Sequence, residues 1–254
     1  MGAKLRFLLF CGIVLGLPGV IMAAADPRLG DLGKLVLILS PAVAGTALNL
    51  GLGHRGEPIH WRWIGIAALI TPTIAGIALG TSLVAGVSSF GGATLAPNAA
   101  LAALGGTVVT SVLEELGWAG GGLALAVKAF GRRWGVGILG LVWAAWHLVP
   151  TFLRIGLFPE LESAPPMMLA SFVVACLLYR ELLTRFAERS RSWLGAAVGH
   201  AVPNLLLTAF VVCGLVVLNQ PAGWPLFPAP GGIVFAGLVL GAVWLLWRQG
   251  RAAA

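Results

Sequence analysis

Eight long apolar segments run through this chain, and they constrain its fold more than any other feature of the sequence. An uninterrupted apolar run of about 20 residues is the length that crosses a bilayer as an α-helix. The connections between the segments are short, which favours antiparallel neighbouring helices. The segments cover approximately residues 7–25, 33–52, 63–88, 99–126, 134–153, 165–183, 193–218 and 232–247.

The composition indicates that lipid rather than water surrounds these segments. Only 10% of the 254 residues are charged, whereas soluble domains carry about 25%. In lipid every backbone polar group needs an internal partner, so only helices and closed barrels can span a bilayer. A barrel would show short segments of alternating polarity instead of continuous apolar runs. We therefore predict an all-α, polytopic membrane bundle of about eight transmembrane helices, with residues 1–254 forming a single transmembrane domain.

The distribution of basic residues predicts how this bundle is oriented. The net charge is +7, and 13 of the 16 Lys and Arg fall in cytoplasmic segments if the N-terminus is cytoplasmic. This bias follows the positive-inside rule, so both termini are expected in the cytoplasm and the protein in the cell (cytoplasmic) membrane. Because the charges lie between apolar runs, they indicate topology and not binding of nucleic acid. The 13 residues are Lys4, Arg6, Arg55, Arg62, Lys128, Arg132, Arg133, Arg180, Arg185, Arg189, Arg191, Arg248 and Arg251.

Three further features of the sequence are interpreted without a catalytic role. The basic N-terminus, its apolar run and the alanines at 23–25 also resemble a signal peptide, an alternative that leaves the other segments in place. The basic stretch 180–191 is expected to be a solvated helix extension near anionic headgroups, without a catalytic role. His54 and His60 lie in a basic loop and are expected at the surface.

Five polar side chains inside the apolar segments are the candidate functional residues. An ionisable side chain at membrane depth is energetically expensive, so it is a functional candidate by default. A lone His or Asn in such a helix is usually a packing residue, but a buried carboxylate needs a partner of its own. The five are Glu114 and Glu115 in the fourth segment, His147 in the fifth, and His200 and Asn204 in the seventh.

The spacing of these residues predicts the chemistry that they support. His200 and Asn204 are four residues apart, so they project from one helix face; Trp143 stands in the same relation to His147. Adjacent helical positions point about 100° apart, so one glutamate can face the bundle centre while its neighbour meets another helix. Glu and His can deprotonate a water, and His or Asn can donate to an oxyanion. No Ser or Cys lies in a nucleophile motif, so the set favours hydrolysis by an activated water.

Three motifs that contain these residues resemble the signature of the CPBP family, also called the Abi or CAAX protease family. The family includes CAAX prenyl proteases and bacteriocin self-immunity proteins, and its motifs lie on separate helices of an eight-helix bundle. The resemblance covers about residues 99–218, which would be the protease core. The motifs are Glu114-Glu115-Leu116-Gly117-Trp118, Trp143-Ala144-Ala145-Trp146-His147 and His200-Ala201-Val202-Pro203-Asn204.

The resemblance implies a catalytic role for each candidate. Glu114 and His147 would activate the attacking water, with Glu115 in a supporting role. His200 and Asn204 would stabilise the oxyanion. The family has been described both as metalloproteases and as metal-free glutamate proteases. Glu114, His147 and His200 would suffice for a three-ligand catalytic zinc, but the sequence has no HExxH helix; no cofactor is therefore expected, with zinc as the alternative.

The chain departs from the family's pattern at two positions. The arginine expected four residues after the second glutamate is replaced by Ala119, and Trp143 stands where phenylalanine is usual. The first change removes a cation that would orient or neutralise the glutamate pair. Lys128, Arg132 and Arg133 are candidates to replace that cation in space.

We therefore predict an intramembrane endopeptidase that hydrolyses a peptide or a membrane-protein substrate. Cleavage would occur in a water-filled cavity between the fourth, fifth and seventh segments. The alternative, favoured by Ala119, is a catalytically inactive family member that binds a peptide or confers bacteriocin self-immunity. A third hypothesis is a small-solute or proton transporter, although such proteins usually contain internal repeats, which are not found in this sequence.

Overall fold

The computed structural model describes residues 1–24, 27–48, 58–92, 95–155, 157–218 and 221–252. Nearly all of these residues are helical, which confirms the predicted all-α class. His54, Arg55, Ala25 and the end of the second predicted segment lie outside the described residues. The helices are α1 (Ala3–Ala23), α2 (Pro27–Leu48), α3 (Trp61–Val84), α4 (Pro97–Gly117), α5 (Leu123–Phe152), α6 (Pro159–Glu162), α7 (Pro166–Ser190), α8 (Trp193–Leu207) and α9 (Ile233–Ala252).

The length and polarity of these helices are those of a multi-pass membrane protein. Helices α2 and α9 have 22 and 20 residues and contain the apolar stretches Leu32–Leu48 and Ile233–Gln249. The predicted count of eight spans and the cytoplasmic position of both termini stay predictions. Within the described residues, five helical stretches are long and apolar enough to cross a membrane: Ala3–Ala23, Trp61–Val84, Pro97–Phe152, Pro166–Ser190 and Trp193–Val212.

The stretch Pro97–Phe152 consists of two helical arms. Gly131 interrupts it with φ 74° and ψ 163°, a conformation that glycine adopts without steric strain. A β-carbon added at Gly135 would lie 2.7 Å from the backbone of Ala126. A straight helix would hold these two positions about 14 Å apart, so the chain reverses at Gly131. The reversal agrees with the predicted break between segments 99–126 and 134–153.

A small two-stranded sheet joins the ends of two helices. Strand β1 (Ser88–Phe90) pairs antiparallel with β2 (Val216–Leu218), with Ser89 opposite Val217. Within the approximate segments 63–88 and 193–218, the helical residues end at Val84 and Val212, before these strands. The paired residues include two β-branched valines of β2, which favour an extended backbone over a helix.

Helices α2 and α4 approach each other at glycines, immediately after the glutamate pair. A β-carbon at Gly117 would overlap the backbone of Pro41, and one at Gly121 would overlap that of Gly45. Small residues allow helices in lipid to pack at backbone distance. Gly121 belongs to a π-helical turn, Trp118–Gly122, that follows α4, and such turns are frequent at functional sites.

The two ends of the bundle differ in charge. At one end the Phe7 and Phe130 rings are in contact, the His60 amide donates to the Ser190 carbonyl, and Arg189 donates to a carbonyl of α9. We call this the basic end; strands β1 and β2 lie at the opposite end, where α5 ends and α7 begins. His60 is exposed, as predicted. The described basic residues at or beside the basic end are Lys4, Arg6, Arg62, Lys128, Arg132, Arg133, Arg185, Arg189, Arg191 and Arg248.

Candidate active site

Four of the five predicted site residues line one cavity of about 470 Å³. Glu114 comes from α4, His147 from α5, and His200 and Asn204 from α8. The exposed fractions of Glu114 and His200 are only 5% and 4%, so these polar groups are held away from bulk solvent. Three motifs that are far apart along the chain therefore meet at one place.

The fifth residue, Glu115, lies behind the cavity wall in a buried ion pair. It is fully buried and is not among the residues that line the cavity. Its two carboxylate oxygens accept hydrogen bonds from the Arg180 guanidinium at 2.7 and 3.0 Å. Its Oε1 also accepts a hydrogen bond from His200 Nδ1 at 3.0 Å. The two adjacent glutamates therefore have different environments, one at the cavity and one in the ion pair.

The position of Arg180 corrects the prediction for residues 180–191. That stretch was expected to be a solvated extension, but Arg180 is only 1% exposed. Helix α7 continues to Ser190, which puts residue 180 nearly three turns before the helix end and inside the bundle. Removing Arg180 from the cytoplasmic count lowers it from 13 to 12, and the positive-inside bias persists.

Arg180 is also the cation that lies next to the glutamate pair. The candidates considered from the sequence were Lys128, Arg132 and Arg133, but Arg132 pairs with Glu188 at the basic end. The cation beside Glu115 comes from α7 instead. A basic residue is thus present next to the pair although Ala119 replaces the motif arginine.

His147 is oriented by its own helix and by aromatic neighbours. Its Nδ1 lies 2.9 Å from the carbonyl oxygen of Trp143, one turn earlier. A carbonyl can only accept, so Nδ1 carries a proton in this bond and Nε2 of the neutral ring can accept another. The rings of Trp146, Phe158 and Phe172 lie within 5.5 Å of the imidazole, measured between centroids. The imidazole therefore has a defined orientation and a basic nitrogen that this bond does not use.

Trp143 connects the two histidines with the cavity glutamate. Its indole N–H donates a hydrogen bond of 3.2 Å to Glu114 Oε2. Its ring lies 5.2 Å from that of His147 and 5.4 Å from that of His200, between centroids. Phenylalanine, the usual residue of the resembled pattern, has no such donor. This departure from the pattern therefore adds a hydrogen bond to Glu114.

The cavity also has a polar wall that the sequence reasoning did not identify. The Asn204 amide donates to the Ser111 hydroxyl at 3.3 Å, and the hydroxyls of Thr107 and Thr208 are 2.9 Å apart. Thr107, Ser111 and Glu114 recur every three or four residues, so they share one face of α4. That spacing was the available signal in the sequence.

A comparison with known families agrees with this geometry. Residues 96–206 match the sequence profile described as type II CAAX prenyl endopeptidase Rce1-like. The chain contains an Rce1-like domain. This confirms the resemblance to the CPBP family, and the matched residues include all five candidates and Arg180. No curated protein gives a significant match to the chain.

The choice between no cofactor and a zinc ion held by Glu114, His147 and His200 stays a prediction. Across the residues that the structure describes, no three His, Cys, Asp or Glu side chains are grouped as metal ligands.

The cavity extends beyond the matched residues 96–206, to the end opposite the basic end. Leu157 and Phe158, which follow α5, line it together with residues 227–229, which precede α9. Glu160 of α6 lines the same region, and burial raises the pKa of its carboxyl group above the usual range. This end of the cavity therefore presents apolar side chains and a carboxyl group that retains its proton to higher pH than usual.

Proposed function

We propose that the protein is an intramembrane endopeptidase that hydrolyses a peptide or a membrane-protein segment with a water activated by Glu114 and His147. The observation that carries this proposal is the meeting of three motifs at one cavity within an Rce1-like domain. The Rce1-like family is a protease family, which supports a peptidase.

In the proposed reaction, the attacking water lies between Glu114 and His147. His147 Nε2 accepts a proton from the water, while the Glu114 carboxylate, which can accept more bonds than the one from Trp143, orients it. The water oxygen then bonds to the scissile carbonyl carbon. A positioned general base of this kind contributes about 10²–10⁴-fold to the rate.

The other wall of the cavity suits the oxyanion that this attack creates. Asn204 uses one amide N–H towards Ser111 and has a second one to donate. His200 Nε2 lies on the ring edge away from Glu115 and can donate when the ring is protonated. Preorganised donors stabilise such an oxyanion. Collapse of the intermediate breaks the C–N bond, and the base returns its proton to the leaving amine.

The proposal includes the side from which the substrate enters. The basic end is cytoplasmic by the positive-inside rule, and the cavity extends to the opposite end, so the substrate enters from the non-cytoplasmic side. In a variant without the three native cysteines, Glu160→Cys should react with a membrane-impermeant maleimide added to intact cells. Reaction only after cell lysis would reverse this orientation.

The test of hydrolysis is Glu114→Gln, assayed in detergent and in liposomes against a peptide library. Cleavage should fall by about 10²-fold or more while peptide binding persists, because the substitution removes the carboxylate but keeps its shape. Glu188→Gln is the matched control, since Glu188 is a 41% exposed carboxylate at the basic end. Equal cleavage by Glu114→Gln and wild type would reject Glu114 as a water-activating group.

A binding role without cleavage is the second candidate, because Ala119 replaces the motif arginine. Such a protein would hold a peptide in the same cavity, as an inactive or self-immunity member of the family. Binding by both the wild type and Glu114→Gln, with no cleavage by either, would identify this role.

A further inference from the structure

Three polar groups form a line from the bundle interior to the cavity. Arg180 on α7 donates two hydrogen bonds to Glu115 on α4, and Glu115 accepts another from His200 on α8. Of these three residues, His200 lines the cavity. Each bond joins different helices, so this line connects Arg180 to the cavity through Glu115 and His200.

We propose that Arg180 is a positioning residue of the active site, which holds Glu115 and, through it, the His200 imidazole at the cavity wall. It supplies from α7 the cation that the resembled pattern places at the position of Ala119. This inference rests on the proposed hydrolytic function, but the contacts that support it do not depend on that function.

Stability alone explains the ion pair poorly. Arg180 and Glu115 are 1% and 0% exposed, and the desolvation of such a pair can exceed the attraction between the charges. Apolar replacement of both partners of a buried pair is often neutral or stabilising. A carboxylate bonded to Nδ1, in contrast, determines which imidazole nitrogen faces the cavity.

The surroundings of Arg180 indicate that an arginine at position 119 could take over its contact with Glu115. Residue 119 lies one turn after Glu115 and is buried, so an arginine there is within reach of the same carboxylate. The Arg180 guanidinium lies 4.3 Å from the ring centroid of Trp143. A planar guanidinium can pair with a carboxylate through two bonds and stack on an aromatic ring, which lysine cannot do.

The test compares the kinetics of Arg180→Met, Arg180→Lys and the double variant Arg180→Met/Ala119→Arg with the wild type. Arg180→Met should lower kcat about 10²-fold with little change in KM, the size of effect expected for a catalytic group misplaced by about 1 Å. The double variant should recover most of this loss, and Arg180→Lys a smaller part. If the double variant and Arg180→Lys both fold but remain as slow as Arg180→Met, the proposal is wrong.

The matched control is Arg185→Met. Arg185 lies on the same helix and pairs with Glu181 at 2.7 Å, outside the line to the cavity. Its substitution should leave kcat unchanged. A loss of kcat equal to that of Arg180→Met would show that kcat falls when any arginine is removed from α7, and it would contradict the proposal.

A purely structural role predicts a different result for a paired replacement. Glu115→Leu with Arg180→Met removes the unpaired charge, so thermal stability should recover relative to Arg180→Met. We expect kcat to stay low, because the carboxylate that holds His200 is absent. If kcat recovers together with stability, Arg180 only stabilises the fold.

A second measurement does not require activity. In protein labelled with ¹⁵N-histidine, with the His200 signal assigned by His200→Asn, the Nδ1 shift records the bond to Glu115. Arg180→Met, or Arg180→Lys if the former does not fold, should shift this signal, whereas Arg185→Met should not. An unchanged signal overturns the positioning role even in an active protease. A shifted signal in a protein that cleaves no peptide supports the role and contradicts the proposed function instead.

Discussion

Among the residues that the structure describes, two clusters pair arginine with glutamate, one inside the bundle and one at its basic end. Inside, Arg180 donates to both oxygens of Glu115 at 2.7 and 3.0 Å. At the basic end, Arg132 donates to both oxygens of Glu188 at 2.8 and 2.9 Å. The distances are nearly equal, but the side-chain exposures are 1% and 0% for the inner pair and 42% and 41% for the outer pair.

Hydrogen-bond distances alone therefore do not indicate how much stability is lost when one partner of an ion pair is removed. An exposed pair contributes about 0–1 kcal/mol, because water solvates either partner well when the other is removed. Removal of one partner from a buried pair leaves a charge without solvent or counterion, which costs about 3–5 kcal/mol. The inner pair should therefore behave as a unit and the outer pair as two independent residues.

The largest expected effect follows from breaking the inner pair. Glu115→Ala should lower the free energy of unfolding by about 3–5 kcal/mol, because it strands the Arg180 charge in the bundle. Chemical unfolding in detergent measures this loss of free energy. The control is Glu188→Ala, which should lower the free energy of unfolding by less than about 1 kcal/mol. Equal losses for the two variants would mean that the inner site is hydrated.

An intermediate effect is expected at the ring beside the inner pair. Trp143→Phe removes the indole donor to Glu114 and weakens the contact with the Arg180 guanidinium. A hydrogen bond to a charged group contributes about 1.5–3 kcal/mol, so stability should fall by about 2 kcal/mol in the same assay. Trp134→Phe is the control, since Trp134 is 68% exposed and should change stability by less than about 0.5 kcal/mol. If the two variants lose equal amounts of stability, Trp143 does not stabilise the buried charges.

The smallest effect is expected for the outer pair. Arg132→Gln should lower the free energy of unfolding by less than about 1 kcal/mol, and this difference should shrink at 1 M salt, where screening acts over about 3 Å. Measurement at low and high salt checks both statements. A loss of several kcal/mol that salt does not change would place Arg132 in the same class as Arg180.

The sequence was sufficient for the all-α class and for choosing four residues that line one cavity, for one physical reason. Lipid allows so few backbone structures and so few buried charges that apolar length and five polar residues were strong signals. The glutamate pair, His147, His200 and Asn204 were all selected because a charge or amide in an apolar segment requires an explanation.

The sequence reasoning failed where the outcome depended on how long a helix continues. The prediction places Arg180 in the solvated stretch 180–191, where basic residues are interleaved with Glu181 and Glu188. However, it also belongs to a stripe of residues spaced by three or four positions on α7, the pattern of a buried helix face. The buried members of this stripe are Phe172, Cys176, Arg180, Leu183 and Ala187.

Other features had no decisive local signal. The pairing of β1 with β2 joins residues more than 120 positions apart, and the strand preference of two valines in a long apolar run does not identify the partner strand. The different environments of Glu114 and Glu115 depend on which helix each side chain faces. Both are results of long-range packing, which periodicity within one segment does not report.

The placement of Arg180 has a consequence for how members of this family are sorted into active and inactive forms. A filter that requires arginine four residues after the glutamate pair rejects this chain, although a guanidinium lies 2.7 Å from the second glutamate. Chains without arginine at the one position should tend to carry a basic residue at the other. Under the proposed role of Arg180, the requirement is for a cation beside the carboxylate, and either of two helices can supply it.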